Sequence, residues 1–288
     1  MEDRPKRKVL LRSRVQKITK VVIVGDSRIE GLNHYLEGNP PITASNTRID
    51  ISTYMFKGAT LSGLSERITR IGHITDSANI IVFIGGICSL TTKEGNLVYY
   101  PHTKEEEVRR EIQDIFQKFG SKAHIATIPP ANLTKASARA LKGNHREVTQ
   151  TDLETQQKRL LEDIEKINNC IIEHSIRRNT PTLKLASTCM KQSKKWNKQK
   201  TRQKTSVVFK HNSLRDGVHP NHEMKKLWFV FTRKFIEKLT LEKDEPQATT
   251  SKQEQSNSEQ DSESQRSSAN SESDSDSDHG AFKRKRRQ

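Results

Sequence analysis

Val21-Val22-Ile23-Val24 is an unbroken run of β-branched residues that follows Lys20 and stops at Gly25-Asp26-Ser27. A strand with one wet face alternates apolar and polar side chains. A continuous apolar run needs apolar cover on both faces, so this segment predicts a central strand with helices packed above and below it. The glycine that ends the run, followed by two residues preferred at helix starts, predicts a tight turn from strand to helix.

Comparable runs recur at Arg48 to Tyr54, Asn79 to Ile84, Lys122 to Ile128 and Thr182 to Ser187, each followed by a small or turn-forming residue. Helical periodicity fills the gaps: about Ile29 to Leu36, Leu61 to Ile71, Glu105 to Phe119 with Val108, Ile112, Ile115 and Phe119 on one face, and Asp152 to Arg177 with Leu153, Leu160, Ile164, Ile167 and Ile171. A last helix from about Asn221 to Leu239 is marked by Met224, Trp228, Phe231 and Phe235. This βαβα alternation predicts an α/β protein: a flavodoxin-like three-layer αβα sandwich around a five-stranded parallel sheet. No internal repeat is present.

Composition sets the limits of that domain. From Pro246 onward, 43 residues carry seven Lys/Arg, eight Asp/Glu and only four apolar side chains, Ala248, Ala269, Ala281 and Phe282. That is too little apolar surface to offset the entropy of ordering, so residues 243–288 are expected to be a disordered Ser/acidic tail. Without the 43 residues, 44 basic and 27 acidic side chains remain, a net charge of +17 against +16 for the whole chain. The organisation expected is a basic N-terminal arm (1–17), one domain (18–242) with a basic insertion (190–206), and the tail. No window approaches a membrane span, and the N-terminal stretch lacks the apolar core of a signal peptide. Cys88, Cys170 and Cys189 are odd in number and far apart, which fits reduced thiols of a nuclear or cytoplasmic protein that is not secreted.

In a parallel α/β sheet, ligands bind at the carboxyl ends of the strands, so the loops there carry the chemical information. They read Gly25-Asp26-Ser27, Phe56-Lys57-Gly58-Ala59 and Gly85-Gly86-Ile87-Cys88, and before the last helix Asp216-Gly217-Val218-His219-Pro220. A serine hydroxyl attacks well only if a base takes its proton, and the base needs a third group to fix its tautomer. Ser27, His219 and Asp216 can supply the nucleophile, the base and the orienting carboxylate. Taken singly, Gly-Asp-Ser is also an ordinary turn with a helix cap, and Asp216-Gly217 an ordinary turn. Together, and in this order after the strands, the blocks are far more restrictive.

At these blocks the chain resembles the SGNH (GDSL-like) hydrolase superfamily over roughly residues 18 to 240: Gly25-Asp26-Ser27 matches the nucleophile block, Gly58 the second, and Asp216 with His219 the last. The resemblance implies the SGNH hydrolase fold and esterase or acylhydrolase activity on a small ester or acylated substrate, without metal or cofactor. It also implies that Ser27, His219 and Asp216 are catalytic, and that the Ser27 and Gly58 N–H groups belong to an oxyanion hole. The third block departs from the family, which has Gly-x-Asn there. With Gly85 or Gly86 as its glycine, the asparagine position is Ile87 or Cys88, and a Cys88 thiol is a poor stand-in for an amide donor. Losing one oxyanion donor costs about a hundred- to a thousand-fold, so slow turnover is expected.

The alternative is a non-enzymatic module of the same fold that binds nucleic acid or protein. Some retroelement first-reading-frame proteins carry SGNH-type domains, which by resemblance points to a mobile element. The insertion from Lys191 to Lys204 has seven Lys/Arg, no acid, and one aromatic, Trp196. Lys194, Lys195, Lys198 and Lys200 suit phosphates and Trp196 an exposed base. The C-terminal Lys283-Arg284-Lys285-Arg286-Arg287 suits an import receptor, and nuclear localisation is the expectation. The histidines show no metal-ligand spacing, and no metal is expected.

Overall fold

The computed structural model describes residues 17–43, 47–101, 104–142, 149–196 and 203–242. The expected N-terminal arm up to residue 16, Lys198, Lys200 and the whole tail with its import cluster lie outside the described residues, as do the side chains of Lys194, Lys195 and Trp196.

In chain order, β1 (Lys17–Gly25) leads through a 3-10 turn, Ser27–Ile29, into α1 (Leu32–Gly38) and β2 (Thr47–Met55). Helices α2 (Leu61–Thr69) and α3 (Gly72–Ser77) return the chain to β3 (Ile80–Ile84). Next come α4 (Ile87–Leu90), a hairpin of β4 (Thr92–Glu94) and β5 (Leu97–Tyr99), α5 (Lys104–Phe119) and β6 (Ala123–Ile125). The rest comprises α6 (Leu133–Ala136), α7 (Ala138–Lys142), α8 (Gln150–Arg177), α9 (Leu185–Thr188), a hairpin of β7 (Met190–Trp196) and β8 (Gln203–Phe209), and α10 (His222–Glu242).

The main sheet is parallel with strand order β2-β1-β3-β6. β1 is internal, as its composition requires. Its side chains alternate between the two helical layers. Val22 and Val24, with Ile81 and Phe83 of β3, pack on Leu64 and Ile68 of α2, Ile112 of α5 and Ile164 of α8. Val21 and Ile23, with Ile80 and Val82, pack on Leu32 of α1 and on Trp228 and Ile236 of α10. Every residue of β3 is buried, and each such aliphatic side chain contributes about 1.5 to 3 kcal/mol.

The sheet has four strands, not five. Thr182 to Ser187 reads as a strand because Leu183 and Leu185 share one buried face. It makes one ladder-like bond, Thr127 N–H to Leu183 C=O at 2.9 Å. The Thr127 hydroxyl then accepts the Ala186 N–H at 3.0 Å, and Thr188 donates to the Leu185 carbonyl at 2.6 Å, which turns the chain into α9. The basic insertion is the β7–β8 hairpin, a two-stranded sheet of its own with Met190 opposite Phe209 and Trp196 opposite Gln203. Among the described residues no helix is long and apolar enough to cross a membrane.

Candidate active site

Strand order places a topological switch beside β1, because the chain moves from β1 to β2 on one side and later to β3 on the other. A crevice opens at such a switch, at the carboxyl ends of the strands. Ser27 stands there, one turn past β1, with the Gly85-Gly86 loop after β3 beside it. Gly25 is required by close approach: a Cβ there would lie 2.7 Å from the Ile84 carbonyl oxygen and 2.8 Å from Ile29.

The turn under Ser27 is held by an ion pair that periodicity does not reveal. Asp26 caps the 3-10 turn, accepting the Arg28 backbone N–H at 2.9 Å. The Arg28 guanidinium folds back on the same carboxylate, Nε at 3.0 Å from Oδ1 and a terminal nitrogen at 2.8 Å from Oδ2, and its other terminal nitrogen donates to the Pro129 carbonyl at 3.4 Å. Both side chains are only 1% exposed. Burial works against the charged guanidinium, but Asp26 outweighs it and raises the Arg28 pKa above its ordinary value. The nucleophile position thus sits on a buried, doubly bonded pair. The sequence signal was Asp-x-Arg across the turn, an unusual place for a charge bordered by buried residues.

The segment before α10 completes the group. Asp216 Oδ1 accepts the N–H groups of Val218 at 3.0 Å and His219 at 2.8 Å, curling the chain into a turn that aims the His219 ring back at the same carboxylate. His219 Nδ1 lies 2.8 Å from Asp216 Oδ2, and His219 Nε2 lies 2.8 Å from Ser27 Oγ, although 192 residues separate the two. With Nδ1–H donating to Asp216, Nε2 is left to accept the Ser27 hydroxyl proton. Burial raises the Asp216 carboxyl, but the two backbone N–H groups and the His219 ring outweigh it and hold it below the usual aspartate range. Gly217, at φ +88°, docks this turn on α6: its carbonyl accepts the Asn132 N–H at 2.6 Å, and a Cβ would stand 2.5 Å from the Ala136 nitrogen.

Ser27, Gly58, Cys88, Asp216 and His219 all line one cleft of about 900 Å³. The Ser27 N–H begins the 3-10 turn, ahead of the intrahelical bonding, and Gly58 faces the cleft from the β2–α2 loop. Of the two residues open for the asparagine position, Ile87 is buried in the core while Cys88 reaches the cleft. Burial, then the nearby Asp26 charge, push the Cys88 thiol up despite Arg28, so it stays neutral and has a weak S–H to offer. No group of His, Cys, Asp and Glu among the described residues could hold a metal ion.

No protein-family profile matches the chain, and no curated protein matches it. Several solved structures align with it. A lipolytic protein of the G-D-S-L family from Veillonella parvula has a TM-score of 0.46 at 11% identity, covering 75% of this chain and 97% of its own. A lipase/acylhydrolase from Enterococcus faecalis has a TM-score of 0.42 at 14% identity, covering 76% and 95%. A carbohydrate esterase family 3 protein from Talaromyces cellulolyticus has a TM-score of 0.40 at 15% identity, covering 79% and 100%. This chain's own geometry shows an α/β fold with a parallel sheet ordered β2-β1-β3-β6, a serine in the turn after its first strand and an Asp-x-x-His before its last helix, the same blocks on which its sequence resembles the SGNH-like hydrolases.

Proposed function

We propose that the chain is a serine hydrolase that cleaves an ester or acyl bond. The observation that carries this reading is the continuous chain Asp216–His219–Ser27, with both links at 2.8 Å, opening on a cleft. Ser27 Oγ attacks the carbonyl carbon as its proton passes to His219 Nε2, and Asp216 steadies the imidazolium. The tetrahedral oxyanion is met by the Ser27 and Gly58 N–H groups. Collapse expels the alcohol, which takes the proton from His219. Water activated by the same histidine then releases the acid and restores Ser27. With a thiol at Cys88 where the family has an amide, turnover is slow.

The test is hydrolysis of short-chain aryl esters by the purified chain and by Ser27→Ala. Slow hydrolysis that Ser27→Ala abolishes is expected; equal rates, or none in either, would refute the reading. A second reading, nucleic acid binding, is supported by the β7–β8 hairpin, which stands as a separate sheet in the most basic stretch of the domain.

A further inference from the structure

The cleft beside Ser27 is lined by cations drawn from four separate segments: Lys93 on β4, Lys135 on α6, Arg139 on α7 and Arg215 beside Asp216. Its lining contains a single carboxylate, Asp216, and that one is engaged by His219. Surface cations are ordinarily balanced by acids close by. Lys93 and Arg139 have no ion-pair partner among the described residues, and Glu94, next to Lys93, bonds the Tyr99 hydroxyl instead. Lys135 Nζ donates to the Leu214 carbonyl at 2.7 Å, which fixes its charge in the cleft wall without neutralising it. Arg215 approaches Asp216 Oδ2 only at 3.9 Å, with a side chain 72% exposed, too open and too long a contact to cancel its charge. Between these cations the wall is small and apolar, at Val98, Ala136, Ala138 and Val218. A cleft of one sign with low-dielectric walls concentrates ligands of the opposite sign.

We propose that this cleft selects esters carrying a negative oxyacid group, a carboxylate or phosphate, within a few atoms of the scissile carbonyl, held by Lys93, Lys135, Arg139 and Arg215. This rests on the hydrolase reading above. A neutral short-chain ester reaches Ser27 equally well but leaves the cations unmatched.

The test compares kcat/KM of the full chain for 4-nitrophenyl hemisuccinate, charged on the acyl side, with the neutral butyrate, and for 4-acetoxyphenyl phosphate, charged on the alcohol side, with phenyl acetate. In one of the two pairs the anionic ester is expected to win by about tenfold at low salt, falling towards parity in about 0.5 M salt as the charges are screened. The double variant Lys93→Glu, Arg139→Glu should lower that ratio at least tenfold. The double control Arg110→Glu, Lys118→Glu, both exposed on α5 and outside the cleft lining, changes the net charge equally and should keep the wild-type ratio. Hydrolysis of the neutral esters with no preference in either pair overturns this inference and leaves the hydrolase reading intact. If no ester is cleaved, calorimetric binding of 4-nitrophenyl hemisuccinate to Ser27→Ala decides. Salt-sensitive binding lost in the charge-reversed background keeps the anion site and removes the hydrolase reading, and absent binding overturns both.

Discussion

Replacing Arg28 by methionine is the severest single test of how the nucleophile turn is held. The substitution keeps the length and apolar stem of the side chain and removes only the guanidinium, so Asp26 is left as a carboxylate 1% exposed with one backbone N–H, from residue 28, still bonded to its Oδ1. Breaking a buried pair by removing one partner typically costs about 3 to 5 kcal/mol, because the remaining charge stays out of water. For a domain of this size a urea m-value of about 2.5 kcal/mol per molar turns that into a midpoint lowered by about 1 to 2 M. Urea unfolding followed by circular dichroism measures it directly. Removing both charges, with Asp26→Asn and Arg28→Met, should recover most of the loss, since the penalty belongs to the orphaned charge rather than to the missing attraction. A midpoint for Arg28→Met within about 0.2 M of wild type would refute the argument, and so would a double variant worse than the single.

Asp216→Asn should lower turnover about 10³- to 10⁴-fold by letting the wrong His219 tautomer form, with ester hydrolysis as the readout. Because the Asp216 pKa is lowered in the folded chain, its contribution to stability is complete above the ordinary aspartate value of about 3.9 and lost as pH falls through the lower folded value. Urea midpoints of wild type and Asp216→Asn should therefore differ by a constant amount down to about pH 4 and converge only below it. Cys88→Asn, which puts an amide donor in the cleft, should raise turnover about tenfold or more, and an unchanged or lower rate would show that this position does not face the oxyanion. Replacing Lys194, Lys195, Lys198 and Lys200 by glutamine should flatten the salt dependence of single-stranded nucleic acid binding, and Trp196→Ala should weaken that binding by about 1 to 3 kcal/mol; filter binding across a salt series checks both.

The parts of this structure that announce themselves in the sequence are those in which one local rule suffices. A β-branched run covered on both sides is a central strand, and β1 is one. An Asp-x-x-His turn bonds its own backbone, and Asp216 does so through Val218 and His219. The contact of Ser27 with His219 was less legible: from the sequence it runs through a fifth parallel strand at Thr182 to Ser187, and that segment is not part of the sheet. What escaped needed knowledge of a neighbour. Leu183 and Leu185 alternate like a strand, but the Thr127 hydroxyl takes the Ala186 N–H and ends the ladder after one bond. Arg28 looks like a solvated residue until its return to Asp26 is seen. Of the cleft cations only Lys135 and Arg139 are close in sequence, four residues apart, and nothing in the spacing joins them to Lys93 or Arg215. A set of like charges assembled from separate parts of the chain is a property of the folded surface alone.

The stem of the β7–β8 hairpin has a further consequence. The chain leaves the domain at Cys189 and rejoins it at Lys210, whose N–H donates to the Cys189 carbonyl at 2.9 Å while its Nζ caps the Thr188 carbonyl at 3.1 Å. Departure and return are thus the same place, sewn shut by two bonds, with buried Phe209 as the plug. Whatever is hung beyond that stem, longer, shorter or chemically different, changes nothing in the distance from β1 to the Asp216 turn. The hairpin is in this sense a socket: the fold tolerates exchange of its cargo of charge without re-solving the geometry of the cleft, so the two could diverge independently.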